Sequence, residues 1–381
     1  MRPIRFNNPW QREFDWPLLL SAAALAVVGV LFVFSATETA SQDLPLYQQK
    51  YFQQIIWCGV GLAAAVCVCA VDYGKLARWS RVVYWGSILS LVAVILAGSV
   101  RNGGRRWIFH LQPSEFAKIA FILALADFLS RPPEELRRPR VFFAALAYTA
   151  LPFVLIKKEP DLGSALVFLP VCLVMLFVAG VPNRFLRRLA VVAVPVVAVM
   201  LAVILFKPED ASFVKPYMKV RLLSYFGMVS GQEAKNANYN VTQSLISVGS
   251  GGVFGKGWRQ GTWHRLGFLP TAGAPNDFIF SVIAEEEGFL GSVVILALYA
   301  VLLFSGIKVA GQARDRLGQL LAVGVVALLF THVFINIGMN IRLMPVTGIP
   351  LPLVSYGGSS VVCSLIAIGL LHNVHIYRKS Y

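Results

Sequence analysis

Charge is scarce in this chain. Asp, Glu, Lys and Arg make up 14% of its 381 residues, against 57% hydrophobic ones. A water-soluble chain of this length carries far more charge, so a soluble enzyme is excluded. Apolar runs near the ~20 residues that cross a bilayer recur throughout, which marks a polytopic helical membrane protein. Cysteine is equally sparse. Cys58, Cys67, Cys69, Cys172 and Cys363 all lie in apolar runs with no paired CxxC spacing, which argues against a zinc site and a disulfide framework. His110, His264, His332, His372 and His375 show no metal spacing. A Walker motif fails at Gly251-Gly-Val-Phe-Gly255-Lys256, because Gly257 follows where Ser or Thr is required. No Ser-His-Asp arrangement and no repeat of the kind transporter halves carry is visible. A cleavable signal is not indicated, since Pro17 to Ala36 is long for a signal core and reads as the first span.

Acidic residues are the rarer sign, 19 against 34 basic ones, for a net charge of +15. That excess is no sign of a nucleic-acid partner. The basic residues sit mainly in short loops between apolar runs, which is the orientation signal of cytoplasmic loops. Hydropathy places about ten spans, at roughly 17–37, 54–71, 82–99, 113–130, 141–157, 162–180, 185–206, 288–308, 318–341 and 350–373. Alternation from a cytoplasmic amino end puts Arg78, Arg137, Arg187 and Arg314 inside, both termini inside, and the segment from about Lys207 to Asn276 outside. The expected fold is all-α: one integral membrane domain over residues 1–381, with a single long extracytoplasmic loop, about 207–287, between spans 7 and 8.

That loop is too polar to cross a bilayer and too long for a simple connection, which points to function. It ends in a glycine-rich turn, Val248-Gly-Ser-Gly-Gly252, then a basic and aromatic run (Lys256, Trp258, Arg259, Trp263, His264, Arg265), then Asn276-Asp277 before an apolar helix. Glycine admits close backbone approach and the basic residues suit an anion. From Asp277 to Lys308 the chain is helix-compatible for longer than a ~30 Å hydrocarbon core accommodates. Asp277 to Glu287 is therefore expected to form a short amphipathic helix at the outer surface, with the eighth span starting near Gly288.

Polar groups at outer span ends are the candidates for chemistry, each with a structural alternative. Glu115 and Lys118 share a helix face, either as a functional pair or as a local ion pair. Asp161 and Asp277 each precede a helix, where an aspartate serves equally as an N-cap. Asn336, Asn340 and Arg342 precede Thr347-Gly-Ile-Pro-Leu-Pro-Leu-Val-Ser355-Tyr-Gly-Gly-Ser-Ser360, whose prolines and glycines break the tenth span near its outer end. Backbone freed by such breaks must line a cavity or find partners within the protein.

At these positions the chain resembles the SEDS family (shape, elongation, division and sporulation), in its rod-shape branch, over essentially its whole length. The resemblance is carried by Arg106-Trp107, Gln112-Pro-Ser-Glu-Phe-Ala-Lys118, Glu159-Pro-Asp-Leu-Gly163, Gln243 through Gly252, Gly255-Lys-Gly-Trp258, Asp277-Phe-Ile-Phe, Ala284-Glu-Glu286, Asn336-Ile-Gly-Met339 and Gly348 through Ser359. Two stretches depart from it: Pro275-Asn276 replaces the usual His-Thr, and Gly227 to Asn240 lacks the usual Asp-Pro and Gly-x-Gly-Tyr pattern.

The resemblance implies a bacterial inner-membrane peptidoglycan glycosyltransferase acting in elongation. Such an enzyme polymerises lipid II on the outer face and works with a class B penicillin-binding protein. Asp277 takes the place of the family's essential aspartate, which is suited to general-base work, and Glu115, Lys118 and Asp161 fall on its polar cavity residues. Arg106, Lys118, Lys256 and Ser355 are the further expected substrate-binding residues. A divalent cation, Mg or Mn, is a candidate cofactor, with Glu115, Asp161 and Asp277 as candidate ligands. Membrane lipids are expected partners and nucleic acid is not. The rival readings are a lipid II flippase and a non-catalytic scaffold.

Overall fold

The computed structural model describes residues 14–378 except 42–43, 102–103, 108–110, 160, 207–218, 220–222, 224, 227–231 and 270–272. The basic amino end (Arg2, Arg5, Arg12), with its interfacial Trp10, and most of the start of the long loop lie outside these residues.

Ten long helices stand where hydropathy places the spans. They are α1 (Trp16–Ser41), α2 (Lys50–Ala70), α4 (Ser80–Ala97), α5 (Pro113–Leu129), α7 (Pro139–Lys158), α8 (Leu162–Val178), α9 (Asn183–Phe206), α11 (Ile279–Gly311), α12 (Arg316–Asn340) and α13 (Gly358–Ile376). Shorter helices are α3 (Tyr73–Arg78) and α6 (Pro133–Leu136), and α10 (Gln232–Ser250) occupies the long loop. Eight of the ten are long and apolar enough to cross a membrane by length and composition alone. The other two, α5 and α8, have 17 residues each, and α5 carries Glu115, Lys118 and Asp127 in its interior.

Local chemistry fixes the helix starts. Asp15, Asp72, Asp161 and Asp315 accept hydrogen bonds from the amides of Leu18 (3.1 Å), Gly74 (2.7 Å), Ser164 (3.1 Å) and Gly318 (2.8 Å), satisfying amides that have no partner within the helix. Proline occupies the first turn of α5 and α7, where its missing N–H costs nothing. α12 and α13 form the centre of the bundle, with 72% and 83% of their apolar windows buried, against 6% for α9 at the periphery. Buried polar residues are correspondingly many on α12 and α13, and α11, which packs against α12, carries Ser281, Glu285 and Glu286 buried as well.

Two expectations need correction. The break at Gly288 is present (φ 67°), and a Cβ there would lie 2.3 Å from the Gly255 amide nitrogen, so only glycine fits. The segment before it, however, is no surface helix: residues 279–286 are all buried, Glu285 and Glu286 completely. The 251–269 loop wraps over them and supplies the donors that solvent would otherwise provide. The tenth span is helical only from Gly358, because 350–357 turn beside Asp277 instead. Between α4 and α5 the chain also forms a two-stranded antiparallel ribbon, β1 (Ser99–Arg101) and β2 (Gly104–Trp107), in register Ser99 to Trp107.

Candidate active site

Asp277 sits in a turn, Gly273 to Phe278, that its own backbone closes: the amides of Asn276, Asp277 and Phe278 all donate to the Gly273 carbonyl. Four outside groups tether this turn. Asn336 and Asn340 of α12 donate side-chain amides to the Asp277 carbonyl at 3.0 and 3.1 Å. The Ser355 hydroxyl donates to the Asn276 carbonyl. The Tyr356 amide donates to the Pro275 carbonyl at 2.8 Å. Every tether is to main chain. Asp277 is not the cap of α11, whose N-cap is Phe278 with no side-chain bond. Its carboxylate instead lies beside Gly348 (φ 75°), 3.4 Å from where a Cβ would stand.

That carboxylate lines an open cavity of about 700 Å³ at one end of the bundle, within the range of small-molecule sites. Arg106, Glu115 and Asp161 line the same cavity. Asp161 both caps α8 and faces this space: Ser164 Oγ donates to it at 2.9 Å, Gln112 Nε2 donates at 3.2 Å, and the Arg106 guanidinium stands 3.8 Å away. Arg106 remains about one-third exposed to the cavity, so it can receive an anion.

Lys118 is placed differently. Its ammonium donates to Glu115 at 2.8 Å and contacts His332 Nε2 at 3.0 Å, and all three groups are buried. It lines a small adjoining space with Glu115 and His332 rather than the main cavity. Lys118 therefore holds the direction of Glu115 from behind. His332 was missed from sequence because its lack of metal spacing hid the other meaning of an ionisable residue inside a span.

The remaining expected residues fall elsewhere. Ser355 is a buttress: besides its bond to Asn276, its hydroxyl accepts from the Leu351 amide at 2.8 Å. Lys256 is not among the cavity-lining residues. Its ammonium donates to Glu285 at 2.6 Å and to Thr262 at 2.8 Å. Arg259 and Arg265 of the same run pair with Glu38, so this basic run binds the protein's own carboxylates. His264, pushed below its usual pKa by burial, stands 3.9 Å from Glu286.

Among the described residues no three acidic, histidine or cysteine side chains converge as a metal centre. Glu115 is bound by Lys118, and Asp161 is satisfied by Ser164 and Gln112. This donor set does not fit a divalent cation. A further carboxyl, Glu159, is 2% exposed and neither oxygen has a hydrogen-bond partner, although its carbonyl accepts from Arg106 Nε at 3.3 Å. Burial, with Asp161 close by, pushes Glu159 up to about 8, opposed by Arg106.

Residues 16–380 match the family of cell cycle proteins formed by FtsW, RodA and SpoVE. The peptidoglycan glycosyltransferase RodA of Treponema pallidum (strain Nichols) is 32% identical over 431 aligned residues, covering 95% of this chain and 98% of that protein. The peptidoglycan glycosyltransferase MrdB of Escherichia coli (strain K12) is 34% identical over 385 residues, covering 98% of each. Among solved structures, a chain of a peptidoglycan synthase complex, described as coordinating polymerization and crosslinking, superposes with a TM-score of 0.78. The identity is 30%, covering 96% of this chain and 98% of that one.

Proposed function

This chain belongs to the FtsW, RodA and SpoVE family, the SEDS proteins, in its RodA type, and from that membership we propose how it works as a peptidoglycan glycosyltransferase of the bacterial inner membrane. Its substrate is lipid II, which it polymerises into glycan strands during elongation. The cavity opens to the outer face and both termini are cytoplasmic. The basic loops support that sidedness, because Arg131 closes the end of α5 opposite to Glu115. A class B penicillin-binding protein supplies the crosslinking step. Support for this partner comes from the fold shared with a chain of a synthase complex.

The observation that carries the mechanism is the presence of Asp277 and Arg106 on one cavity. An acceptor sugar hydroxyl attacks the anomeric carbon of the donor. The new glycosidic C–O bond forms as the bond to the polyprenyl diphosphate breaks, and the diphosphate leaves with the electron pair. Asp277 takes the hydroxyl proton as general base. Arg106 stabilises the charge that develops on the departing diphosphate. Lys118 acts through Glu115, whose carboxylate it orients toward the cavity by a 2.8 Å hydrogen bond. The Asn336, Asn340 and Ser355 tethers hold the base in place before substrate arrives. The polyprenyl tail stays in the bilayer, where its apolar surface is out of water.

The test is polymerisation by the purified full-length protein supplied with lipid II in detergent, with and without the co-purified transpeptidase. Glycan strands are the expected product. If the protein makes none in either case yet moves lipid II across vesicle membranes, the chain is a flippase and Asp277 is no base.

A further inference from the structure

The cavity has a second wall that this chemistry leaves unused. Gln53 and Trp57 lie one turn apart on α2 and both line the cavity, where Tyr356 joins them. The wall is held in place. The Trp57 indole packs against the backbone at Gly358 so closely that a Cβ there would come within 2.5 Å of the ring. The Tyr356 hydroxyl donates to Gln53 Oε1, and the Lys50 ammonium covers the Tyr356 ring at 5.7 Å from its centroid. The Tyr356 amide is also the one that tethers Pro275, so this ring and the Asp277 turn are fixed to each other.

The ordinary explanation for tryptophan near a span end is the interfacial belt. Trp16, Trp79 and Trp85 fit it, being 60%, 65% and 54% exposed on the outside of the bundle. Trp57 does not, because it is half-buried and turned to a cavity that also holds Asp277. The chemistry of this wall differs from that of the charged residues Arg106, Glu115, Asp161 and Asp277 that line the same cavity. A pyranose ring presents an apolar face of C–H groups and a rim of hydroxyls. A rigid aromatic ring covers the face without desolvating the rim, while an amide and a phenol meet the rim.

We propose that Gln53, Trp57 and Tyr356 form a saccharide subsite that holds a pyranose ring of the substrate against the aromatic wall while Asp277 faces the reacting hydroxyl. This subsite rests on the glycosyltransferase reading and adds to it the residues that hold the sugar, as distinct from those that meet the diphosphate.

Binding to the full-length protein in nanodiscs, with Asp277→Asn as the background to prevent turnover, tests it with three probes: a lipid-free glycan strand fragment, lipid II, and undecaprenyl diphosphate. Trp57→Leu should weaken a sugar-bearing probe at least about tenfold and leave undecaprenyl diphosphate within about twofold. Trp57→Phe, which keeps a ring, should restore most of the affinity. A loss confined to the glycan fragment assigns the subsite to the growing strand, and a loss confined to lipid II assigns it to the donor; both support the proposal. Equal loss for all three probes means general packing damage, and no loss for any means a belt residue; both overturn it. Gln53→Ala, at a half-buried position on the first turn of α2, gives the same comparison if Trp57→Leu does not fold. A parent protein that bound no sugar-bearing probe would instead refute the glycosyltransferase reading itself.

Discussion

Two acidic regions lie on either side of one short stretch of chain, and they do opposite things. Glu285 accepts from Lys256 Nζ (2.6 Å), the Thr262 amide (2.7 Å) and hydroxyl (3.0 Å), the Trp263 amide (3.1 Å) and Ser247 Oγ (3.1 Å). Glu286 accepts from Ser35 Oγ (2.5 Å) and the Arg259 amide (3.1 Å). Both are wholly buried. Eight residues earlier, Asp277 gives its main chain to the tethers and its side chain to a cavity. A buried carboxylate surrounded by donors holds structure, because removing it strands every donor around it. A carboxylate whose position is fixed through its backbone, with its side chain lining a cavity, has the placement that proton transfer to a bound ligand requires.

The strongest way to break this comparison is Asp277→Asn. Since the tethers are main-chain bonds and asparagine keeps the shape of the aspartate side chain, the variant should keep the parental yield and thermal profile. An amide cannot take a proton, so polymerisation should fall by about 10²–10⁴-fold. Glycan product measured beside a melting curve decides it. Near-parental product would move the base to Glu115 or Asp161.

Lys256→Met is the converse and should have a smaller effect. Glu285 keeps four donors, so the loss should appear as about 1–3 kcal/mol of stability, with the KM for lipid II in the folded fraction changing little. Glu285→Ala should be worse, because it strands the Thr262 and Trp263 amides and the buried Ser247 hydroxyl at once, each costing about 1–3 kcal/mol. A tenfold rise in KM for Lys256→Met with an unchanged melting curve would return Lys256 to the substrate site.

These contrasts also mark how far sequence reached. The ten helices were legible because apolar length survives any packing, and the Gly288 break because a bilayer limits helix length. Arg106, Glu115, Asp161 and Asp277 were found as polar groups at span ends, and the structure gathers them on one cavity. Lys256 was misplaced because a basic run looks the same whether it awaits an anion or is already paired with Glu285. That partner lies 29 positions away, and its side of the helix is set by the kink. Glu285 and Glu286 seemed too charged to bury, since nothing in their own neighbourhood announces the amides of 259–263. His332 and the Asn336 and Asn340 tethers depend on α12 lying at the centre of the bundle, which hydropathy does not rank.

The finest form of the comparison sets Glu159 against Glu286. Both are buried carboxyls, but Glu286 has donors and Glu159 has none for either oxygen. The charged groups acting on Glu159 are Asp161 on its own loop, which raises its pKa, and Arg106 from the ribbon, which lowers it. Lys157 and Lys158 on the preceding turn are exposed. With burial the largest influence, Glu159 rises from 4.5 to about 8 and holds its proton at neutral pH. The folded form therefore binds a proton more tightly than the unfolded chain. The stability this provides is complete below about pH 4.5, declines as pH rises, and is gone above about 8. Glu159→Gln keeps the shape and has no proton to lose. Its melting temperature relative to the parent should climb between pH 5 and 8.5, by about 2–5 °C, and then level off. A parallel pair of curves across that range would mean that Glu159 finds donors in the folded protein, and that its carboxyl belongs with Glu286 among the satisfied ones.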